Sequence, residues 1–132
     1  MPALYLDSSA IVKLVTPEVE SPALLEFLHA FEERISSVLA RVEVHRTLHR
    51  AHGTPAERRR AERVLRRIAL VQIDGPIIAV ASQLAPADLR SLDAIHLATA
   101  LSVSGALAGM VTYDERLARA ATVARVRVYA PE

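Results

Sequence analysis

Apolar positions along the chain fall into two patterns. Short, nearly unbroken apolar runs read as strands: Ala3 to Leu6, Ala69 to Ile73, Leu107 to Thr112 and Val126 to Tyr129, with Arg34-Ile35-Ser36 as a fifth short strand. Between them lie stretches with helical spacing and helix punctuation. Ser8 to Val15 reads as a helix stopped by Thr16-Pro17, and Ser21-Pro22 opens another that runs to about Glu33. Ser36 or Ser37 can cap a helix running to His52, with Gly53 where a stop is expected. Thr54-Pro55 opens a helix to about Ile68, and Asp74-Gly75-Pro76 closes the following strand. Ile77 to Leu84 is a short helix, Ser91 caps one running to about Ser104, and Glu115 to Ala121 is the last.

Short apolar strands alternating with helices predict an α/β fold, a small and mainly parallel sheet flanked by helices. The length of 132 residues fits one domain spanning residues 1–132. In such sheets the functional site lies beyond the carboxyl ends of the strands. Asp7 and Asp114 both fall at such ends. Ala94 to Tyr113 holds no Asp, Glu, Lys or Arg, a length of uncharged chain that can cross a bilayer. It is interrupted by Gly105 and Gly109 and carries His96 and several hydroxyl residues, so it reads as buried helix, turn and strand, and no membrane association is expected.

Composition narrows the chemistry. Half the residues (52%) are hydrophobic and 23% are charged, as in ordinary globular proteins. There is no cysteine, which excludes disulfides, iron–sulfur clusters and thiolate zinc sites. That absence and the lack of a visible leader fit a cytoplasmic setting. The net charge of +1 conceals a polarity: Arg41 to Arg67 holds nine Arg against three Glu, a balance of +6, which leaves −5 for the rest. A basic region of this kind suits phosphates, and it equally suits a solvated helical face. Aromatic residues make up only 4% of the chain, so a base-stacking platform is not expected.

Four acids stand beside core-forming residues. Each has an ordinary structural role open to it. Asp7 and Asp114 can cap the helices that follow them. Asp93 suits the first turn of its helix, and Glu43 can pair with Arg46. Yet Glu43 is flanked by Val42 and Val44, Asp93 opens the uncharged stretch, and Asp7 and Asp114 follow apolar strands. Carboxylates gathered at one end of a sheet repel one another unless a cation lies between them. Oxygen donors select a hard divalent ion, Mg²⁺ with Mn²⁺ as the alternative. Such an ion activates water and polarises a phosphoryl group.

These residues resemble a known family. Leu4-Tyr5-Leu6-Asp7-Ser8-Ser9-Ala10 with Lys13-Leu14 looks like the opening of the VapC toxins, PIN-domain ribonucleases of type II toxin–antitoxin systems. Ser37-Val38-Leu39-Ala40-Arg41-Val42-Glu43, Arg90-Ser91-Leu92-Asp93-Ala94-Ile95-His96-Leu97-Ala98-Thr99-Ala100 and Val111-Thr112-Tyr113-Asp114-Glu115-Arg116-Leu117 resemble the family's later motifs in the same order. The resemblance runs from about residue 3 to Ala130-Pro131. It implies a PIN domain, metal-dependent endonucleolytic cleavage of RNA such as transfer or ribosomal RNA, and 5′-phosphate and 3′-hydroxyl products. It also implies a homodimer and a VapB-like antitoxin that blocks the site. Asp7, Glu43, Asp93 and Asp114 match the family's metal-binding acids. Ser8 stands where a threonine is usual, and the segment Ala121 to Arg125 lacks the glycine often found before the last strand.

Other candidates carry less. His96 can position a water or phosphate, or simply be a packed histidine. His45, His49 and His52 share a helix face without forming a convincing ligand set. Thr112 and Ser9 can orient groups around the metal or act as caps. A haloacid-type phosphatase wants a second Asp two residues after the first, where Ser9 stands. A receiver-like module wants a late lysine, and the one lysine of the chain is Lys13. A catalytically silent PIN module that binds RNA or protein is the remaining alternative.

Overall fold

In the computed structural model, which describes residues 2–132, the strands are β1 (Ala3–Leu6), β2 (Arg34–Ser37), β3 (Ala69–Val71), β4 (Leu107–Val111) and β5 (Val128–Tyr129). The helices are α1 (Ser8–Val15), α2 (Ser21–Leu28), α3 (Leu39–Arg50), α4 (Pro55–Arg66), α5 (Gly75–Ala81), α6 (Ser91–Ser102) and α7 (Glu115–Val123). The strands form one sheet in the order β3-β2-β1-β4-β5, and every neighbouring pair is parallel. This is the expected α/β architecture. The chain runs outward from β1 to β3 and then returns to the other side of β1 as β4, so the switch point lies between β1 and β4.

All four residues of β1 are buried, because helices cover both faces of a parallel sheet. Alternation along the strand divides its side chains between two layers. Leu4 and Leu6 pack with Ile11 and Leu14 of α1, Leu24 of α2, Val44 of α3 and Leu65 of α4. Tyr5 belongs to the opposite layer, with Leu97 of α6, Met110 of β4 and Leu117 of α7.

Several boundaries differ from those expected. α2 ends at Leu28 rather than near Glu33. The segment after it turns back, and the Leu4 amide donates to the Glu33 carbonyl at 3.1 Å, so residues read as helix instead lead β2 into register beside β1. β3 and β5 hold three and two residues, shorter than their apolar runs, because edge strands find a pairing partner on one side only. α6 stops at Ser102, and a short 3₁₀ turn over Ser104–Ala106 leads into β4.

The ends of α3 and α7 share one device. At α3 the Gly53 amide donates to the Leu48 carbonyl (2.8 Å) and the His52 amide to that of His49 (3.2 Å). At α7 Val126 bonds Ala121 and Arg125 bonds Thr122 in the same way. Both are Schellman motifs, whose left-handed position usually holds glycine. Here His52 (φ 56°) and Arg125 (φ 67°) occupy it. Gly53, expected as the stop, therefore follows the left-handed residue rather than being it. The glycine missing before β5 is replaced by Arg125 in the conformation glycine would have taken.

Replacing exposed His52 by glycine should raise unfolding free energy by up to about 1 kcal/mol through relief of left-handed strain. Gly109→Ala should lower it by at least about 1–3 kcal/mol, because a Cβ there would stand 2.6 Å from the Arg127 carbonyl oxygen and 2.7 Å from the Tyr129 ring. Urea denaturation of the two variants, read against the parent, checks both signs.

Candidate active site

Asp7 follows β1 directly, at the switch point, and is 4% exposed. Its amide donates to the Val111 carbonyl at 3.2 Å, which carries the β1–β4 pairing one residue past β1 and brings the residue that follows β4, Thr112, alongside. Three donors then hold the carboxylate. Ser9 Oγ (2.7 Å) and the Ala10 amide (3.0 Å) donate to Oδ1, and Thr112 Oγ1 donates to Oδ2 at 2.5 Å. The Ala10 bond is an N-cap on α1. Burial pushes the Asp7 carboxyl above the usual carboxylate range, against the opposing pull of Thr112, Ser9 and Ala10.

Thr112 links two acids, since its Oγ1 also accepts the Asp114 amide at 3.1 Å. Asp114 caps α7, its Oδ1 accepting the amides of Arg116 (2.9 Å) and Leu117 (3.3 Å). Capping and proximity to the other acids are thus combined in Asp7 and Asp114 rather than being alternatives. Ser9 serves the same junction twice, because its Oγ accepts the Tyr113 amide at 3.0 Å.

Glu43 reaches the site from the other helical layer. Its partner is His96 rather than Arg46: His96 Nε2 lies 2.6 Å from Oε1, and Ser8 Oγ donates to the same oxygen at 2.5 Å. A carboxylate only accepts, so Nε2 carries the hydrogen of that bond. The other ring nitrogen, Nδ1, shares a 2.7 Å hydrogen bond with the Tyr5 hydroxyl, a group that burial holds in its protonated form. His96 is itself buried, so it is a packed histidine whose ring nitrogens both serve the protein. Burial pushes the Glu43 carboxyl up, but its bonds to His96 and Ser8 outweigh that and leave it below the usual range.

Asp93 lies in the first turn of α6, one turn before His96, and is partly buried. Its carboxyl is raised by burial and then by the negative charges of Asp114, Asp7 and Glu43, with His96 opposing. Asp93 therefore sits close enough to Asp114, Asp7 and Glu43 to feel their charge at the carboxyl end of the sheet. Among the described residues, no three His, Asp or Glu side chains are gathered around one point as a finished metal cluster. The donor set nevertheless suits a hard cation. It is all carboxylate, the other three acids raise the proton affinity of Asp93, and the second oxygens of Glu43 and Asp114 accept no hydrogen bond from the described residues, nor does either oxygen of Asp93.

The bonds of Ser8 and His96 to Glu43 were not read from the sequence. The only hint was the placement of His96 one turn after Asp93, and nothing in the spacing says that a residue 53 positions earlier is its partner. Ser9 and Thr112 were expected near the acids as caps or orienting groups, and both bond to Asp7. The remaining histidines build no site. His45 Nε2 is 3.2 Å from Glu62, which also pairs with Arg41 at 3.0 Å.

Such a sheet, with acids at its switch point, defines an α/β protein built to hold charge beyond its strand ends. Comparison with known proteins makes this specific. The model of the PIN domain matches residues 4–123. Ribonuclease VapC46 of Mycobacterium tuberculosis is 44% identical over 131 residues, covering 99% of each chain. Two solved structures agree in fold. VapC20 of M. tuberculosis, described as a sarcin–ricin-loop-cleaving toxin, superposes with a TM-score of 0.73 at 15% identity and covers 97% of this chain and 99% of its own. A toxin–antitoxin complex from Klebsiella pneumoniae gives 0.69 at 21% identity, covering 88% and 89%. The chain belongs to the PIN-domain family, in its VapC group. No helix among the described residues is long and apolar enough to cross a membrane.

The charge on Asp93 makes a testable contribution to stability. A carboxyl whose folded pKa lies above its ordinary 3.8 costs stability as pH rises through that range and costs none below it. In metal-free protein, Asp93→Asn should therefore melt higher than the parent at neutral pH, with the gap closing as pH falls toward 3.8 and gone below it. Thermal melts across pH in EDTA measure this, and a gap that does not change with pH would assign the effect to something other than charge.

Proposed function

We propose that this chain is a divalent-metal-dependent endoribonuclease, the toxin of a VapBC-like toxin–antitoxin pair, acting through Asp7, Glu43, Asp93 and Asp114. The observation that carries this reading is the convergence at one end of the sheet of Asp7 and Asp114, joined through Thr112, with Asp93, whose carboxyl feels the charges of Asp114, Asp7 and Glu43, in a chain 44% identical over 131 residues to a ribonuclease of the VapC group. The whole chain, residues 1–132, would act as one PIN unit.

Asp7, Asp93 and Asp114 would hold a Mg²⁺ or Mn²⁺ ion, with Glu43 reaching it directly or through water. When bound, the ion supplies charge neutralisation at the scissile phosphate and lowers the pKa of water. The chain's part is to keep the acids ready. Thr112, Ser9 and the Ala10 amide fix the Asp7 carboxylate in one orientation. Ser8 and His96 both engage one oxygen of Glu43, and the other accepts no hydrogen bond from the described residues. Asp114 is anchored through one oxygen by the first turn of α7. Repulsion among acids so fixed favours the cation, and no serine or cysteine nucleophile is required.

The resemblance to VapC toxins also supports a homodimer and inhibition by a small VapB-like protein encoded beside this one. Transfer or ribosomal RNA is the substrate class the family suggests. A catalytically silent PIN module is the rival reading, and one experiment separates the two. Wild type and Asp7→Asn are incubated with total cellular RNA in Mg²⁺, Mn²⁺ or EDTA. Discrete fragments are expected from wild type with metal only, and Asp7→Asn should lose cleavage while keeping its melting transition. Cleavage by Asp7→Asn at the wild-type rate, or absence of cleavage from folded wild type freed of any antitoxin, would overturn the assignment.

A further inference from the structure

We propose that Arg46 and Arg50 of α3 hold the RNA backbone beside the acids, and that the bound strand leaves the cleft over α3 toward α4. This inference rests on the ribonuclease reading above. A cleft of about 630 Å³ opens next to Glu43, between α1 on one side and α3 on the other. Glu43, Arg46 and Arg50 all line it. Their spacing of three and four residues stacks them on a single stripe of the helix, so the acid and both guanidinium groups face the same space. Along the helix axis Arg46 lies roughly 4.5 Å from Glu43 and Arg50 roughly 10.5 Å, from a rise of 1.5 Å per residue. The two cations thus follow Glu43 at increasing distance along the helix.

The cleft is electrically one-sided. On the α1 wall the cation is Lys13, and it is spent on Glu18 (2.9 Å) and Glu20 (2.8 Å). Neither Arg46 nor Arg50 is in an ion pair with any described residue. Both are exposed. The free positive charge of the cleft therefore stands on α3 alone. It continues beyond the cleft, because a groove between α3 and α4 is lined by Arg46 together with His49 and Arg58. The carboxylate on that side, Glu62, is already shared between Arg41 and His45. A surplus of guanidinium groups that meets carboxylates at one end matches a polyanion whose reacting phosphate sits at those carboxylates. Arginine's planar fork suits the flanking phosphates. Few aromatic side chains are present to stack bases, so charge is the means of holding that this surface offers.

The test uses the Asp7→Asn full-length protein in EDTA, with a short fluorescein-labelled single-stranded RNA of mixed sequence, read by anisotropy over a range of salt. Adding Arg46→Glu and Arg50→Glu should weaken binding at low salt about tenfold or more. The slope of log affinity against log salt should fall by about 1.4, the value for two lost phosphate contacts on a single strand. Arg46→Gln with Arg50→Gln should lose less affinity, and a melt of each variant establishes that it is folded. Arg119→Glu with Arg127→Glu changes net charge equally on the α7 side and should leave binding within twofold. Equal weakening by that pair would reduce the effect to net charge and overturn the proposal. So would unchanged RNA binding by the α3 pair accompanied by loss of a co-expressed inhibitory protein, which would give the surface to a protein partner. Wild type that cuts RNA while the α3 pair binds normally sinks this proposal alone, whereas wild type that neither cuts nor binds RNA removes the ribonuclease reading beneath it.

Discussion

A carboxylate buried at the switch point of a parallel sheet is the constraint around which this molecule is arranged. An isolated buried charge costs several kcal/mol even after relaxation, and Asp7 is almost wholly removed from solvent. Its three donors come from the two segments that meet there, Ser9 and Ala10 from α1 and Thr112 from the end of β4. Satisfying Asp7 therefore requires that β1 and β4 be neighbours and that α1 begin at once after β1. Topology and site are thus the same requirement seen twice. The residual cost still shows, since Asp7 and Asp93 both hold protons more readily than ordinary aspartates.

A second tie closes the site from above. α3 belongs to the layer that covers Leu4 and Leu6, and α6 to the layer that covers Tyr5. The bond between Glu43 on α3 and His96 on α6 joins these layers beyond the strand ends, where no sheet separates them. Tyr5 completes it from within the sheet through the far nitrogen of the same ring. Glu43 is thus aligned by a chain of hydrogen bonds rooted in the core, and its side chain remains partly exposed to the cleft.

The alternation of strands and helices, the parallel sheet and the placement of Asp7 and Asp114 beyond the ends of apolar strands were legible in the sequence, because each depends on local pattern. Element ends were legible only in part. The turn after Leu28 is dictated by the pairing of Leu4 with Glu33, a contact with no local signature. The left-handed positions fell to His52 and Arg125, residues that do not advertise such a conformation as glycine does. In the site, the partners of Asp7 were within reach because Ser9 lies two residues after it and Thr112 two residues before Asp114. The partners of Glu43 were not. Ser8 is separated from it by 35 positions and His96 by 53, and only the folded sheet end brings them together.

The arrangement also explains why one run of residues can serve both fold and chemistry. Asp7 and Asp114 cap α1 and α7 with one oxygen each, and capping uses the lone pairs that point at the helix. For Asp114 that leaves the second oxygen without a hydrogen bond from the described residues. For Asp7 the second oxygen is held by a threonine hydroxyl, which can rotate and whose own oxygen already accepts the Asp114 amide. Backbone donors thus fix position, while hydroxyl donors steady the carboxylate without adding positive charge, and Oδ2 of Asp7 accepts only the one bond from Thr112 among the described residues. Had arginine or lysine supplied those bonds, the acids would be neutralised and a cation would gain little by entering. The free guanidinium groups instead stand on α3, beyond Glu43, where they leave the negative charge of the site intact and extend the opposite charge outward from it.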